Sequence, residues 1–168
     1  MPAQYVWTVP SPLGQLSLLS DGDCVTGLYM PSPKGVPHID PTAMRDVGPF
    51  RHVASELDAY FSGNLTDFTV RVRGSGTPFQ QRVWTALRAI PYGHTATYGS
   101  IAAAIGSPKA VRAVGLANGR NPISIIVPCH RVVGADGSLT GYGGGLANKE
   151  ILLNLEQRVL ADASPART

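Results

Sequence analysis

The segment Gly74-Ser75-Gly76-Thr77-Pro78 interrupts the chain near its middle. Glycines without side-chain restraint, next to a proline that has no amide hydrogen, do not sit inside one helix or one central strand. The elements on either side are therefore expected to form separate packing units, residues 1–77 and 78–168, joined there. Of the 168 residues, 43% are hydrophobic and 15% are charged, enough apolar material for buried cores and too little charge for a disordered chain. There is no apolar run of about eighteen residues, and Met1-Pro2-Ala3-Gln4-Tyr5 is not a basic cluster leading into an apolar stretch. No membrane span or secretion signal is expected, which points to the cytoplasm.

In the first half, Tyr5–Val9, Leu16–Ser20 and Cys24–Tyr29 are predicted strands. Pro10-Ser11-Pro12-Leu13-Gly14 and Asp21-Gly22-Asp23 supply the turns of an antiparallel meander. After a proline-rich loop (31–41), Val53, Leu57, Tyr60 and Phe61 recur at helical spacing, so an amphipathic helix should cover the sheet and end at Gly63-Asn64. Phe68–Arg73 reads as one more strand.

The second half opens on a helix with Val83, Trp84, Leu87 and Ile90 on one face. Two further helices are predicted, over 97–106 and 107–118, around a tight Gly106-Ser107 turn, with Ser107 as N-cap and Pro108 in the first helical position. This is helix-turn-helix spacing. The second of these helices is built from Ala110, Ala113, Gly115 and Ala117, with the long side chain of Arg112 in its first turns. Small residues suit close approach to a groove, and they equally suit packing against a neighbouring helix.

Charge separates the halves. Residues 1–77 carry five Lys/Arg against seven Asp/Glu, residues 78–168 nine against four, and no acidic residue occurs from Phe68 to Ala135. A long acid-free basic stretch suits a polyanion, because each Lys or Arg placed on a phosphate releases condensed counterions. Nucleic acid is the first expectation and an ordinary basic surface the alternative.

The β-branched run Ile123–Val127 has the composition of a buried strand and stops at Pro128-Cys129-His130-Arg131. Cationic neighbours stabilise the thiolate, the nucleophilic form of cysteine. Alternate residues of an extended strand face opposite ways, so contact between Cys129 and His130 would need a turn or a water. By itself a buried cysteine is more often packing than catalysis.

Three motifs in order, Arg112-Ala113-Val114-Gly115-Leu116-Ala117-Asn118-Gly119-Arg120-Asn121, Pro128-Cys129-His130-Arg131 and Gly141-Tyr142-Gly143-Gly144-Gly145-Leu146-Ala147-Asn148-Lys149, closely resemble the O6-alkylguanine-DNA alkyltransferases. The resemblance is strong over residues 78–157 and only general before them. It implies an α/β protein with a ribonuclease H-like N-terminal domain of structural role and a winged-helix-like C-terminal domain. It implies double-stranded DNA as partner, bound through the minor groove with the target base flipped out, and no obligate protein partner. Cys129 matches the residue that takes an alkyl group from O6 of guanine, and from O4 of thymine, irreversibly. His130 and Glu156 match the groups that draw off the thiol proton through a water, and Asn121 the residue that braces them. Tyr98 matches the residue that turns the target phosphate and protonates the leaving base. Arg112 matches the finger that fills the vacated stack, with Ala110, Ala113 and Arg131 in the contact surface. Tyr142, Gly143 and Gly144 match the lining of the alkyl pocket, Gly143 standing where some relatives carry serine.

No cofactor is implied, since the alkyl donor is the damaged base. Cys24, His38 and His52 are too scattered for the zinc site of some relatives, so no metal is expected. Two other classes remain as contrasts. A helix-turn-helix regulator would bind DNA without any mass change, and a Cys/His hydrolase would turn over without preferring DNA.

Overall fold

The computed structural model describes residues 3–32, 39–139 and 145–163. The chain divides into two units, Met1–Thr77 with Asn121–Ile126, and Pro78–Arg120 with Val127–Thr168.

In the first unit, β1 (Tyr5–Val9), β2 (Leu16–Ser20) and β3 (Val25–Tyr29) form the antiparallel meander, with Tyr5 opposite Ser20 and Ser17 opposite Tyr29. Its second turn is held by Asp21, whose Oδ1 accepts the amides of Asp23 and Cys24 at 2.9 and 2.8 Å. Cys24 thus lies in the turn, one residue before the strand expected to contain it. The two-residue β4 (Met44–Arg45) adds in parallel to β1, giving the order β3-β2-β1-β4. Helix α1 (Arg51–Phe61) buries Val53, Leu57 and Tyr60. Val9 and Pro10 share a groove with Ala54, Leu57 and Phe61, which sets α1 against the sheet.

Phe68–Arg73 is not a ladder strand. Only Val72 bridges to Val25, because the amides of Thr69 and Val70 are taken by the Glu56 carboxylate on α1 at 2.8–3.0 Å. The predicted strand over Ile123–Val127 is likewise absent. Ile123 alone bridges to Leu28, with Leu28 N–H donating to Pro122 and Ser124 N–H to Leu28, and this fastens residues 121–126 to the edge of β3 in the first unit. The chain then folds through a γ-turn, Ile126 N–H to Ser124 C=O at 2.8 Å, with Ile125 at φ 72°. Ile123, Ile125 and Ile126 are buried all the same, so burial is achieved without strand geometry.

In the second unit, α2 (Pro78–Arg88) buries Val83, Trp84 and Leu87. The two-residue β5 (Ala96–Thr97) leads into α3 (Tyr98–Ala104), and α4 (Val111–Gly119) follows. Thr97 and Ser100 form a reciprocal capping box at 3.0 Å, which fixes Tyr98 as the first residue of α3. Gly106, at φ 77°, ends α3 with Gly106 N–H on Ala103 and Ser107 N–H on Ala102, the paired bonds of a Schellman motif.

The second helix of this pair starts later than its sequence suggests. Ser107 C=O accepts Ala110 N–H at 2.9 Å in a closed turn, and Ala110 at ψ 33° is outside helical geometry, so neither Ser107 nor Pro108 begins α4. The two-residue β6 (Val132–Val133) pairs in parallel with β5, and α5 (Leu146–Ala163) follows. Among the described residues, no helix is long and apolar enough to cross a membrane, and no group of three or more His, Cys, Asp or Glu could hold a metal.

Glu56→Ala would leave two amides of the 69–70 segment unsatisfied and is expected to destabilise the protein by about 1–3 kcal/mol in urea denaturation. Burial resists ionisation of Glu56, yet the bonds from Thr69 and Val70 hold its carboxyl below the usual range. Its contribution is present above the ordinary carboxyl pKa and is lost as the pH falls through the lowered one, so the variant should lose less stability on acidification.

Candidate active site

Cys129 opens a 3-10 turn, Cys129–Arg131, placed by an inverse γ-turn in which Cys129 N–H donates to Val127 C=O at 2.8 Å across Pro128 (φ −82°, ψ 65°). Cys129 is therefore on a tight turn rather than at a strand end. It is 3% exposed, and its carbonyl accepts the Asn118 side-chain amide of α4 at 3.4 Å. Directly after the turn, β6 pairs with β5, the strand that runs into Tyr98. That pairing ties the position of Tyr98 to the turn that carries the thiol.

His130 and Glu156 are both fully buried and joined, Nε2 to Oε2, at 2.7 Å. Glu156 is thus no solvated surface acid. Its Oε1 accepts Arg131 Nε at 2.8 Å and Gly93 N–H at 3.3 Å, and its Oε2 accepts Arg131 Nη2 at 3.0 Å. Burial alone would push this carboxyl up, but His130 and Arg131 overcome it and bring it down to about 2. Glu156 is consequently a carboxylate at neutral pH.

Burial pushes His130 the other way and outweighs the pull of Glu156, so its pKa is lowered and the ring is neutral. A neutral ring that donates through Nε2 to a carboxylate carries no proton on Nδ1. Nδ1 is buried without a hydrogen-bond partner among the described residues, on the residue that directly follows Cys129 in the 3-10 turn. Of the catalytic set read from the sequence, the fold brings His130 and Glu156 together on one bond.

Arg131 corrects an expectation. It is not on a DNA-facing surface but 7% exposed, with Nη1 donating to Ile90 C=O at 2.8 Å and its guanidinium 5.5 Å from the centre of the Tyr92 ring. Three of its five N–H donors go to Glu156 and Ile90, and its burial takes it off the surface where phosphate could reach it. Arg112 and Ala113 are exposed on α4, while Ala110 and Tyr98 are partly covered. A Cβ built on Gly115 would touch the Tyr98 ring at 3.9 Å, so α4 approaches Tyr98 closely there. Asn121 belongs to the first unit, where its side chain accepts Ile123 N–H at 3.0 Å and donates to Ile123 C=O at 3.4 Å. Tyr142, Gly143 and Gly144 lie outside the described residues.

Sequence reasoning missed Lys149. On α5, it is fully buried and its Nζ donates to Val132 C=O at 2.5 Å. Burial lowers its pKa, and the Cys129 thiolate acts in the opposite direction to keep it charged. Such attraction is mutual, so Lys149 favours the thiolate. The available signal was its helical spacing from Leu152 and Glu156, one face of α5 that also buries.

Residues 78–158 match the family described as 6-O-methylguanine DNA methyltransferase, DNA binding domain. The chain is 54% identical over 153 residues to the methylated-DNA--protein-cysteine methyltransferase of Mycobacterium tuberculosis (strain ATCC 25618 / H37Rv), covering 89% of this chain and 90% of that protein. It is 50% identical over 152 residues to the protein of the same name from Methanosarcina acetivorans, covering 90% and 97%. Among solved structures, that of Mycobacterium tuberculosis OGT in complex with DNA superposes with a TM-score of 0.86 at 52% identity, covering 92% of this chain and 94% of that one.

Lys149→Met removes the cation and leaves Val132 C=O unpaired. The pH dependence of Cys129 alkylation by iodoacetamide should move upward, and stability should fall by about 1–3 kcal/mol. A rate–pH profile identical to wild type would remove Lys149 from the site. Glu156, drawn from the ordinary 4.5 to about 2, stabilises the fold fully above pH 4.5 and loses that contribution as the pH falls to 2. Acid titration of the folded protein should show this loss, and Glu156→Gln should abolish it.

Proposed function

The chain belongs to the methylated-DNA–protein-cysteine methyltransferase family, and on that premise we propose that it repairs DNA by direct reversal. The protein takes a methyl or other alkyl group from O6 of guanine, and by the same chemistry from O4 of thymine, onto Cys129. We assign DNA binding and transfer to residues 78–168 and a supporting role to residues 1–77. Both cysteines are free, as suits the reducing cytoplasm in which we place the protein.

The observation that carries this reading is the buried contact of His130 with Glu156, which leaves Nδ1 unprotonated on the residue directly after Cys129 and so able to serve as its base. An ordinary thiol, with a pKa of about 8.5, is only slightly ionised at neutral pH, so a neighbouring base raises the nucleophilic fraction. The Cys129 proton passes, through a water, to Nδ1, and the imidazolium that forms is stabilised by the Glu156 carboxylate. The thiolate sulfur displaces at the alkyl carbon: an S–C bond forms, the C–O6 bond breaks, and its electron pair stays with guanine. Tyr98 gives its hydroxyl proton to the ring, so the base leaves neutral. The product is a thioether, a bond far more resistant to hydrolysis than an ester or thioester, so each molecule acts once.

Cys129 is too deeply buried to reach an atom inside a base stack, which fits a flipped nucleotide. Arg112, exposed on α4, is the side chain we assign to the gap, with Ala110 and Ala113 allowing the helix to come near the duplex. Asn121 supports the reading as a backbone brace through its two bonds to Ile123. Arg131 acts as a positioning residue that keeps Glu156 ionised and aligned.

Incubation with a duplex holding one O6-methylguanine should give a mass gain of one methylene on the Cys129 peptide, never more than one per chain. Cys129→Ser should gain nothing. An unchanged mass in the wild type despite tight DNA binding would mean a lesion sensor and would overturn the assignment. Tyr98→Phe should slow transfer from the duplex by about a hundredfold, the usual order for loss of a general acid.

A further inference from the structure

Leu116 is the most exposed large hydrophobic residue among the described ones, at 64%, and its own helix provides a buried face it could have used. Val114, Ala117 and Asn118 form that face, and the indole N–H of Trp84 fastens it by donating to Ala117 C=O at 2.8 Å. At about 100° per residue, Leu116 lies about 40° around α4 from Arg112 and nearly opposite the buried face. It stands about 6 Å along the axis from Arg112 and the same distance from Arg120, which is also exposed. The outward stripe of α4, continued to its C-cap, therefore reads cation, leucine, cation. No acidic residue occurs in α4 or anywhere from Phe68 to Ala135.

We propose that Leu116 is a DNA-contacting residue, an apolar wedge laid against the deoxyribose and base edges of the duplex next to the lesion. The inference rests on the functional reading above and extends its contact surface. The flanking arginines favour a phosphate-bearing partner, and the duplex presents apolar sugar and base edges between its phosphate rows. A leucine between two cations matches that alternation. Apolar side chains in this role loosen a base step and so assist extrusion of the neighbouring nucleotide. The contact is uncharged, so it should carry none of the salt dependence that phosphate contacts carry.

The test compares Leu116→Ala and Leu116→Met with the wild type in three measurements. The first is anisotropy with a lesion-free duplex over a range of salt concentrations. The second is the rate of alkyl transfer from O6-methylguanine in a duplex at subsaturating protein. The third is the rate of transfer from the free base O6-methylguanine, which needs no duplex. Leu116→Ala is expected to weaken duplex affinity and slow duplex transfer by about tenfold each. It should leave the slope of log affinity against log salt unchanged and free-base transfer within about twofold. Leu116→Met, which keeps an apolar side chain of similar volume, should restore both duplex values. Unchanged duplex affinity in Leu116→Ala overturns the proposal, and so does a parallel fall in free-base transfer, because that marks a structural residue. The affinity measurement reads Leu116 even in a protein whose Cys129 takes no alkyl group, so failure of the wedge and failure of the transfer reading are separate results.

Discussion

The second unit is organised around one buried negative charge. Glu156 receives a hydrogen bond from His130, two from Arg131 and one from the Gly93 amide, and its neighbour Gln157 donates to Gly93 C=O at 2.7 Å. Arg131 continues the network to Ile90 C=O just beyond α2. One carboxylate thus links α5, the Cys129 turn and the loop after α2. Burying such a pair is weak evidence for stability, because desolvation offsets much of the attraction. What it supplies is direction: each donor has one place to point, and the tautomer of His130 follows from it. Gly93, at φ 77°, is part of the same constraint, since a Cβ there would meet Leu160 Cδ2 of α5 at 2.6 Å.

Much of this was legible in the residues, and the exceptions share a cause. The meander, α1 and α2 were readable because periodic burial and turn residues agree locally, as in Leu16 and Leu18 of β2 or Val83, Trp84 and Leu87 of α2. Phe68–Arg73 and Ile123–Val127 have strand composition, but partners far away in sequence decide their form. Glu56 takes the amides that a ladder would have used. Leu28 offers Ile123 a single bridge before the chain turns away. An apolar run states that a segment is buried and leaves its backbone path open.

The site follows the same division. Cys129 and His130 stand out as adjacent reactive residues, but their relation to Glu156 was available only through the resemblance, twenty-six positions being spanned by one 2.7 Å bond. Arg131 and Lys149 are basic residues in a basic half, and composition assigns both to the surface. Burial reverses that: each is held inside by an acceptor, Glu156 for one and Val132 C=O for the other. The buried positive charge is therefore distinct from the exposed positive charge of α4.

Placing Cys129 on a turn has an energetic consequence. Ile125 at φ 72° is β-branched in a region that disfavours such residues, a strain of order 1–3 kcal/mol. It persists because Ile123, Ile125 and Ile126 are all buried and Asn121 holds Ile123 by both backbone groups. Two γ-turns in succession let the chain reverse sharply before Cys129. An extended strand would have sent Cys129 and His130 to opposite faces. The 3-10 turn instead leaves His130 bonded to Glu156 with its other nitrogen unprotonated, while the following residues pair with the strand leading to Tyr98. The strained path is thus what allows one short segment to carry Cys129, the His130–Glu156 contact and the pairing with the strand that leads to Tyr98.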